Sequence, residues 1–176
     1  QLVRVTPRFN PAVNGYWMCD IGRFQYGWVE GPDRLRKPQL RTKDGAQQPA
    51  IWKDALTRVR DLLNAAGRRD PASVRFLVSA HASLEELFLV KRIATELKGD
   101  ASAAHVAVTW RRSAKSQPAG TRFVIPATDA PNVTGAADLG LAIGAGLDGA
   151  PDNSGLRAAV EAGHVEVLYV VDPGPA

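Results

Sequence analysis

A single cysteine, Cys19, in 176 residues excludes a disulfide framework within the chain. It equally excludes a metal site built from several of the chain's own thiolates. Histidine is scarce as well. His81, His105 and His164 stand far apart and show no HExxH-type spacing that would place two imidazoles on one metal. No apolar run approaches the roughly 18 residues needed to span a bilayer, and the opening QLVRVTPRFN does not read as a signal peptide. Asp54, Glu85, Glu86 and Asp129 are the acidic residues that invite an acid/base assignment, and none is paired by spacing with a nucleophile. No catalytic residue is therefore assigned. What is present is ordinary for a globular domain: 45% hydrophobic residues, 23% charged residues and a net charge of +4. A folded chain of this size hides roughly 70% of its unfolded surface without cross-links.

The charge is unevenly placed. Residues 1–70 hold 13 Lys/Arg against 7 Asp/Glu (net +6), whereas residues 71–176 hold 9 against 11 (net −2). The basic residues are scattered among Pro and Gly rather than lined along one helix, which suits a surface docked on protein better than nucleic acid.

Residues 1–50 are rich in Pro, Gly and Trp. Leu2–Thr6 (LVRVT) alternates like a strand, Asn14-Gly15 is a turn signal, and Gly27, Gly31, Pro32 and Pro38 prevent a long helix. Six aromatics fall within residues 9–28, where little regular structure is available to bury them. Residues 9–41 are expected to be covered by neighbouring protein, with Arg23, Arg34 and Arg36 as the polar rim.

Regular structure is expected from about residue 51. Ile51, Ala55, Leu56, Val59, Leu62 and Leu63 follow helical spacing, with Gly67 as the closing residue. Val74–Ser79 (VRFLVS) reads as a buried strand, and Ser83–Glu86 as a capping box. The helix behind the box would use Leu84, Leu87, Phe88, Val90, Ile93, Ala94 and Leu97 as its core side. His105–Trp110 and Phe123–Pro126 read as further strands. A helix capped by Asn153 or Ser154 and running to about Ala162 then leads to a last strand, Val165–Val171. Strands alternating with helices imply an α/β fold: a Rossmann-like parallel sheet with helices on both faces, preceded by an irregular loop/β segment.

Three motifs carry weaker signals. Gly144-Ala-Gly146-Leu-Asp-Gly149 spells GxGxxG, but neither a clean strand before it nor a helix directly after it is apparent, so no NAD site is assigned. Ser79–Ser83 sits where strand meets helix, the usual ligand edge of a parallel sheet, where free helix N–H groups favour anions. Asn132-Val-Thr134 matches a glycosylation acceptor without any sign of secretion.

The ordered blocks Val13-Asn14…Trp17-Met18-Cys19-Asp20-Ile21-Gly22-Arg23-Phe24, Asp33-Arg34-Leu35-Arg36-Lys37-Pro38 and Trp52-Lys53-Asp54-Ala55-Leu56 resemble the molybdopterin oxidoreductase superfamily. Within it they look most like the large iron–sulfur subunit of NADH-quinone oxidoreductase (complex I). Ser79–Glu86 and Ala130–Gly140 continue the resemblance. The resemblance implies that residues 1–50 are the tail of a [4Fe–4S] Mo/W bis-MGD-type domain and residues 51–176 part of a molybdopterin oxidoreductase domain. It implies that Cys19 is the fourth ligand of a [4Fe–4S] cluster whose other three cysteines lie upstream in a longer parent. Asp20-Ile21 stands where catalytic molybdenum and tungsten relatives carry Lys-Gly, so no bound molybdopterin is expected.

The implied role is a structural and electron-transfer module of the complex, cytoplasmic and peripheral to the membrane through partner subunits. No nucleic acid and no direct membrane insertion are expected, nor a cluster on these residues alone. Two alternatives stand beside it. One is a piece of an active molybdopterin enzyme such as a formate dehydrogenase, binding its cofactor along Ser79–Ser83 and Asp129–Gly135. The other is a binding module without a redox role.

Overall fold

The structure, a computed structural model, describes residues 2–98, 105–120, 122, 124–141 and 151–171. The chain divides into two compact units, Gln1–Leu56 and Thr57–Ala176.

The first unit is held by turns and short elements. The Asn14-Gly15 turn forms as expected: the Asn10 carbonyl accepts from the Val13, Asn14 and Gly15 N–H groups at 3.2, 3.0 and 2.7 Å. Gly15 adopts φ +54°, which glycine reaches without a Cβ penalty. A one-turn helix, α1 (Asp20–Phe24), and a 3-10 turn (Gly27–Glu30) follow. β1 (Gln39–Arg41) and β2 (Gln47–Pro49) then pair antiparallel, with Leu40 opposite Gln48. The strand expected at Leu2–Thr6 is not formed. Side chains take its backbone groups instead, since Leu2 N–H donates to Glu30 Oε1 (2.8 Å) and Val3 C=O accepts the Tyr26 hydroxyl (3.0 Å).

The parallel sheet lies in the second unit. α2 (Trp52–Arg69) leads into β3 (Val74–Ser79), α3 (Leu84–Lys98) and β4 (Val106–Thr109). α4 (Val133–Asp138), α5 (Ser154–Glu161) and β5 (Val167–Val171) complete it. The strand order is β4-β3-β5, all parallel, with Phe76 in register with Val106 and Tyr169. β-Branched runs on a strand covered by helices suit this central position. Val74, Phe76 and Val78 point to one face and join Leu63, Ala66, Leu87, Val90 and Ala94 in a single buried cluster. On the other face Leu77 lines an open groove with Leu156 and Val160 of α5. The expected α/β architecture, a parallel sheet flanked by helices and preceded by a loop/β segment, is the observed one.

Several local expectations are corrected. Gly67 does not end α2, which continues to Arg69 and stops ahead of Pro71, a residue with no N–H to offer. Asp70 then caps the Pro71–Ser73 turn by accepting from Ala72 N–H at 2.8 Å. Leu84 and Phe88 of α3 are exposed; the covered stripe is the narrower Leu87–Val90–Ala94 row, with Ile93 and Leu97 half-buried beside it. Val124–Pro126 is not a strand, because the Gln117 side-chain amide holds both the N–H and the C=O of Ile125. Phe123 of that expected strand, and Gly144, Gly146 and Gly149 of the GxGxxG string, lie outside the described residues.

Candidate functional site

The carboxyl end of β3 is where the connections diverge, toward β4 on one side and β5 on the other. Ligands in open α/β sheets gather at such a point. Ser79, almost fully buried, ends the strand, and its Oγ accepts the His81 N–H at 3.1 Å. Ala80 N–H extends the ladder to Thr109 C=O at 2.8 Å. Asn132 then fastens the turn twice. Its N–H donates to Ala80 C=O and its Nδ2 to Ala82 C=O, both at 3.1 Å. Although Asn132 occupies the N-cap of α4, its side chain makes no capping bond there. The Ser79–Ser83 and Asp129–Gly135 segments, distant in sequence, are thus in direct contact.

Beyond β4 the chain folds back on itself, with Ser113 N–H on Ala127 C=O (2.9 Å) and Asp129 N–H on Arg111 C=O (3.0 Å). This return places Asp129 against two partners: Lys115 Nζ pairs with Oδ1, and Ser113 Oγ donates to Oδ2 at 3.3 Å. The Lys115 hydrogen bond holds the Asp129 carboxyl below the usual carboxylate range, aided by the Lys115 charge, the Ser113 hydroxyl and the charge of His81, and opposed by desolvation. Lys115 and Ser113 were not read from the sequence, because no period or motif ties residues 113–115 to Asp129.

The start of α3 is closed by its own capping box. Ser83 N–H donates to Glu86 Oε2 at 2.7 Å, and Glu86 N–H to Ser83 Oγ at 3.2 Å. Glu85 and Glu86 add negative charge to this first turn. At the anion edge expected at Ser79–Ser83, the Ser83 N–H is thus taken by the chain's own Glu86 carboxylate.

Cys19 lies in the first unit. Its thiol is free and exposed, and at the N-cap of α1 its Sγ accepts the Gly22 N–H at 3.4 Å. Gly22 brings its backbone close: a Cβ there would lie 3.5 Å from both Cys19 Sγ and Met18 Cε. Nearby, Phe9 and Tyr16 stack with ring centroids 4.5 Å apart, and Phe9, Val13, Trp17 and Met18 line an open cleft of about 730 Å³. Among the described residues no group of three or more His, Cys, Asp or Glu could hold a metal ion, so any metal at Cys19 needs ligands from elsewhere. Among the described residues no helix is long and apolar enough to cross a membrane.

No family model matches the chain. Individual proteins do. Over 94 residues it is 44% identical to the G subunit of NADH-quinone oxidoreductase from Shewanella oneidensis, covering 53% of this chain and 10% of that protein. Over 98 residues it is 34% identical to NADH-quinone oxidoreductase subunit 3 of Thermus thermophilus, covering 56% and 12%. A Staphylococcus aureus protein named as a candidate formate dehydrogenase is 28% identical over 100 residues, covering 56% and 10%. The chain spans about a tenth of the length of the curated relatives it matches. The resemblance to the G subunit of NADH-quinone oxidoreductase is thereby shown.

Proposed function

We propose that this chain is a structural and electron-transfer module of an NADH-quinone oxidoreductase-type complex, with Cys19 as one thiolate ligand of a [4Fe–4S] cluster. The similarity to an NADH-quinone oxidoreductase subunit, 44% over 94 residues, is the observation that carries it. The thiol fits the role: it is exposed, and a backbone N–H is directed at its sulfur, the kind of hydrogen bond that tunes a cluster's potential. Four thiolates hold such a cluster, and Cys19 is the sole cysteine here, so three must come from outside these residues. When bound, the cluster supplies one-electron transfer; the chain's own share is to present Cys19 on a short capped turn. Residues 1–50 then belong with the cluster-bearing domain and residues 51–176 with the oxidoreductase domain. The partners are other subunits of the complex, through which the module is cytoplasmic and peripheral to the membrane.

The similarity to a candidate formate dehydrogenase favours a second reading, a piece of an active molybdopterin enzyme. The mutual satisfaction of the Ser79–Ser83 and Asp129–Gly135 segments counts against a cofactor seated between them. The test is Cys19→Ser in a longer protein that carries additional cysteines. Iron content and the electron paramagnetic resonance of the reduced protein are expected to fall by one cluster. Unchanged iron and an unchanged spectrum sink the ligand assignment, and release of a fluorescent pterin on oxidation promotes the second reading.

A further inference from the structure

Two side-chain clasps fasten the first residues of the chain alongside α1 and the turn that follows it. Leu2 N–H donates to Glu30 Oε1 and the Tyr26 hydroxyl to Val3 C=O, which brings residues 4–6 to residues 23–26. Arg4, Val5, Thr6, Arg23, Phe24 and Tyr26 together line a cavity of about 350 Å³. All six belong to the first unit. Small-ligand sites span roughly 300–1,000 Å³, so the space suits a small molecule or a single side chain better than a large cofactor.

Two of the six lining residues are arginines and none is acidic. A guanidinium does not give up its proton in a protein, so the pair cannot relieve its repulsion by titrating. Among the described residues neither the Arg4 nor the Arg23 side chain has a hydrogen bond or an ion pair. The Nε of Arg23 is moreover buried, a charged group's donor without an acceptor. Buried donors are nearly always bonded, those of charged groups above all. Glu30, the acidic side chain of the clasp, accepts from Leu2 N–H and is not part of the cavity wall. What these groups lack in common is an acceptor of negative charge. The planar fork of a guanidinium matches paired oxygens, as in a carboxylate or a phosphate, and the Thr6 hydroxyl adds a further donor.

We propose that Arg4 and Arg23 form an oxyanion-binding pocket that takes a carboxylate or phosphate group on their guanidiniums. The pocket does not rest on the cluster assignment of Cys19. Its anion has two sources, a free small molecule or an acidic side chain of a longer polypeptide. In the full chain, labelled with nitrogen-15, the Arg23 Nε–H resonance is followed while sodium phosphate replaces sodium chloride at constant ionic strength. It is expected to shift saturably while that of Arg34, outside the cavity, stays in place. Arg4→Gln, at an exposed position and checked for folding by its amide spectrum, is expected to weaken the response roughly ten-fold. No saturable shift, an equal shift at Arg34, or a folded Arg4→Gln variant that binds as tightly as the parent overturns the proposal. The source is then read in a longer protein that carries these residues. With Arg23→Lys and a carbodiimide, an amide bond from the introduced amine to an acidic residue beyond residues 1–176 assigns the anion to the longer polypeptide. Radiolabelled phosphate bound by the unsubstituted protein in equilibrium dialysis, and lost in Arg4→Gln, assigns it to a free ligand. The absence of both overturns the proposal.

Discussion

Gly135 leaves open the space that the Asn132 side chain occupies. A Cβ built on Gly135 would run into Asn132 Oδ1 well inside contact distance and would meet Leu84 Cδ1 at 3.0 Å. The same Asn132 amide donates to Ala82 C=O, so it cannot swing away without releasing the turn after β3. Gly135→Ala is therefore expected to cost about 1–3 kcal/mol by overpacking, read as a lower urea midpoint. In the Asn132→Ala background the same change should cost clearly less, because the blocking oxygen is gone. Equal costs in both backgrounds would show that the two residues are not coupled.

The Ser83–Glu86 box closes the amino end of α3. Ser83→Ala removes the hydroxyl that accepts Glu86 N–H, and a loss of about 1 kcal/mol in unfolding free energy is expected. Ser83→Asp, which keeps an acceptor at the cap, should restore most of it. A Ser83→Asp variant as unstable as Ser83→Ala would mean the cap bond contributes nothing.

Asp129 gives the carboxyl edge a pH dependence with a defined sign. The Lys115 hydrogen bond, then the Lys115 charge, the Ser113 hydroxyl and His81, lower its pKa in the folded chain. A depressed carboxylate stabilises the fold above its unfolded value, about 3.9, and that contribution fades as pH falls from there through the lower folded value. Asp129→Asn should thus be less stable than the parent at neutral pH and converge with it in acid. Denaturation midpoints measured from pH 7 down to about pH 2 test this across both sides of the usual carboxylate value. A deficit that stays constant over the range would assign the effect to packing instead of charge.

Much of the second unit was legible because its signals are local. VRFLVS and the VLYVV run are β-branched segments bounded by turn residues, and Ser83 with Glu86 marks a helix start at fixed spacing. The hairpin of β1 and β2 was missed for the opposite reason. Each strand has three residues and little apolar alternation, leaving Asp44-Gly45, with Gly45 at φ +84°, as the main clue. Where backbone groups are claimed by distant side chains, local pattern misleads. Leu2 and Val3 look like strand residues until Glu30 and Tyr26 take their N–H and C=O. The Lys115–Asp129 pair belongs to the same class, since only the return of the chain beyond β4 creates it. Cys19 was legible from the residues around it, but its bond to Gly22 N–H required the turn of α1.

The aromatic first unit separates surface from core. Trp17 is 85% and Trp28 68% exposed, so their replacement removes little buried area. Trp28 does carry the Arg34 guanidinium 5.1 Å from its ring centroid, a contact worth about 0.5–1 kcal/mol at an exposed site. The double variant Trp17→Ser/Trp28→Ser should therefore shift the unfolding free energy by no more than about 1 kcal/mol. Its effect is expected in association: Phe9, Tyr16, Trp17, Ile21, Phe24 and Trp28 are all exposed, and apolar surface of this kind drives proteins together. Sedimentation at increasing concentration should show the parent self-associating and the double variant staying more monomeric and more soluble. The two measurements can disagree with this reading independently. A cooperative loss of the α/β unit in circular dichroism melts would make the tryptophans part of its core, and unchanged association would move the sticky surface elsewhere.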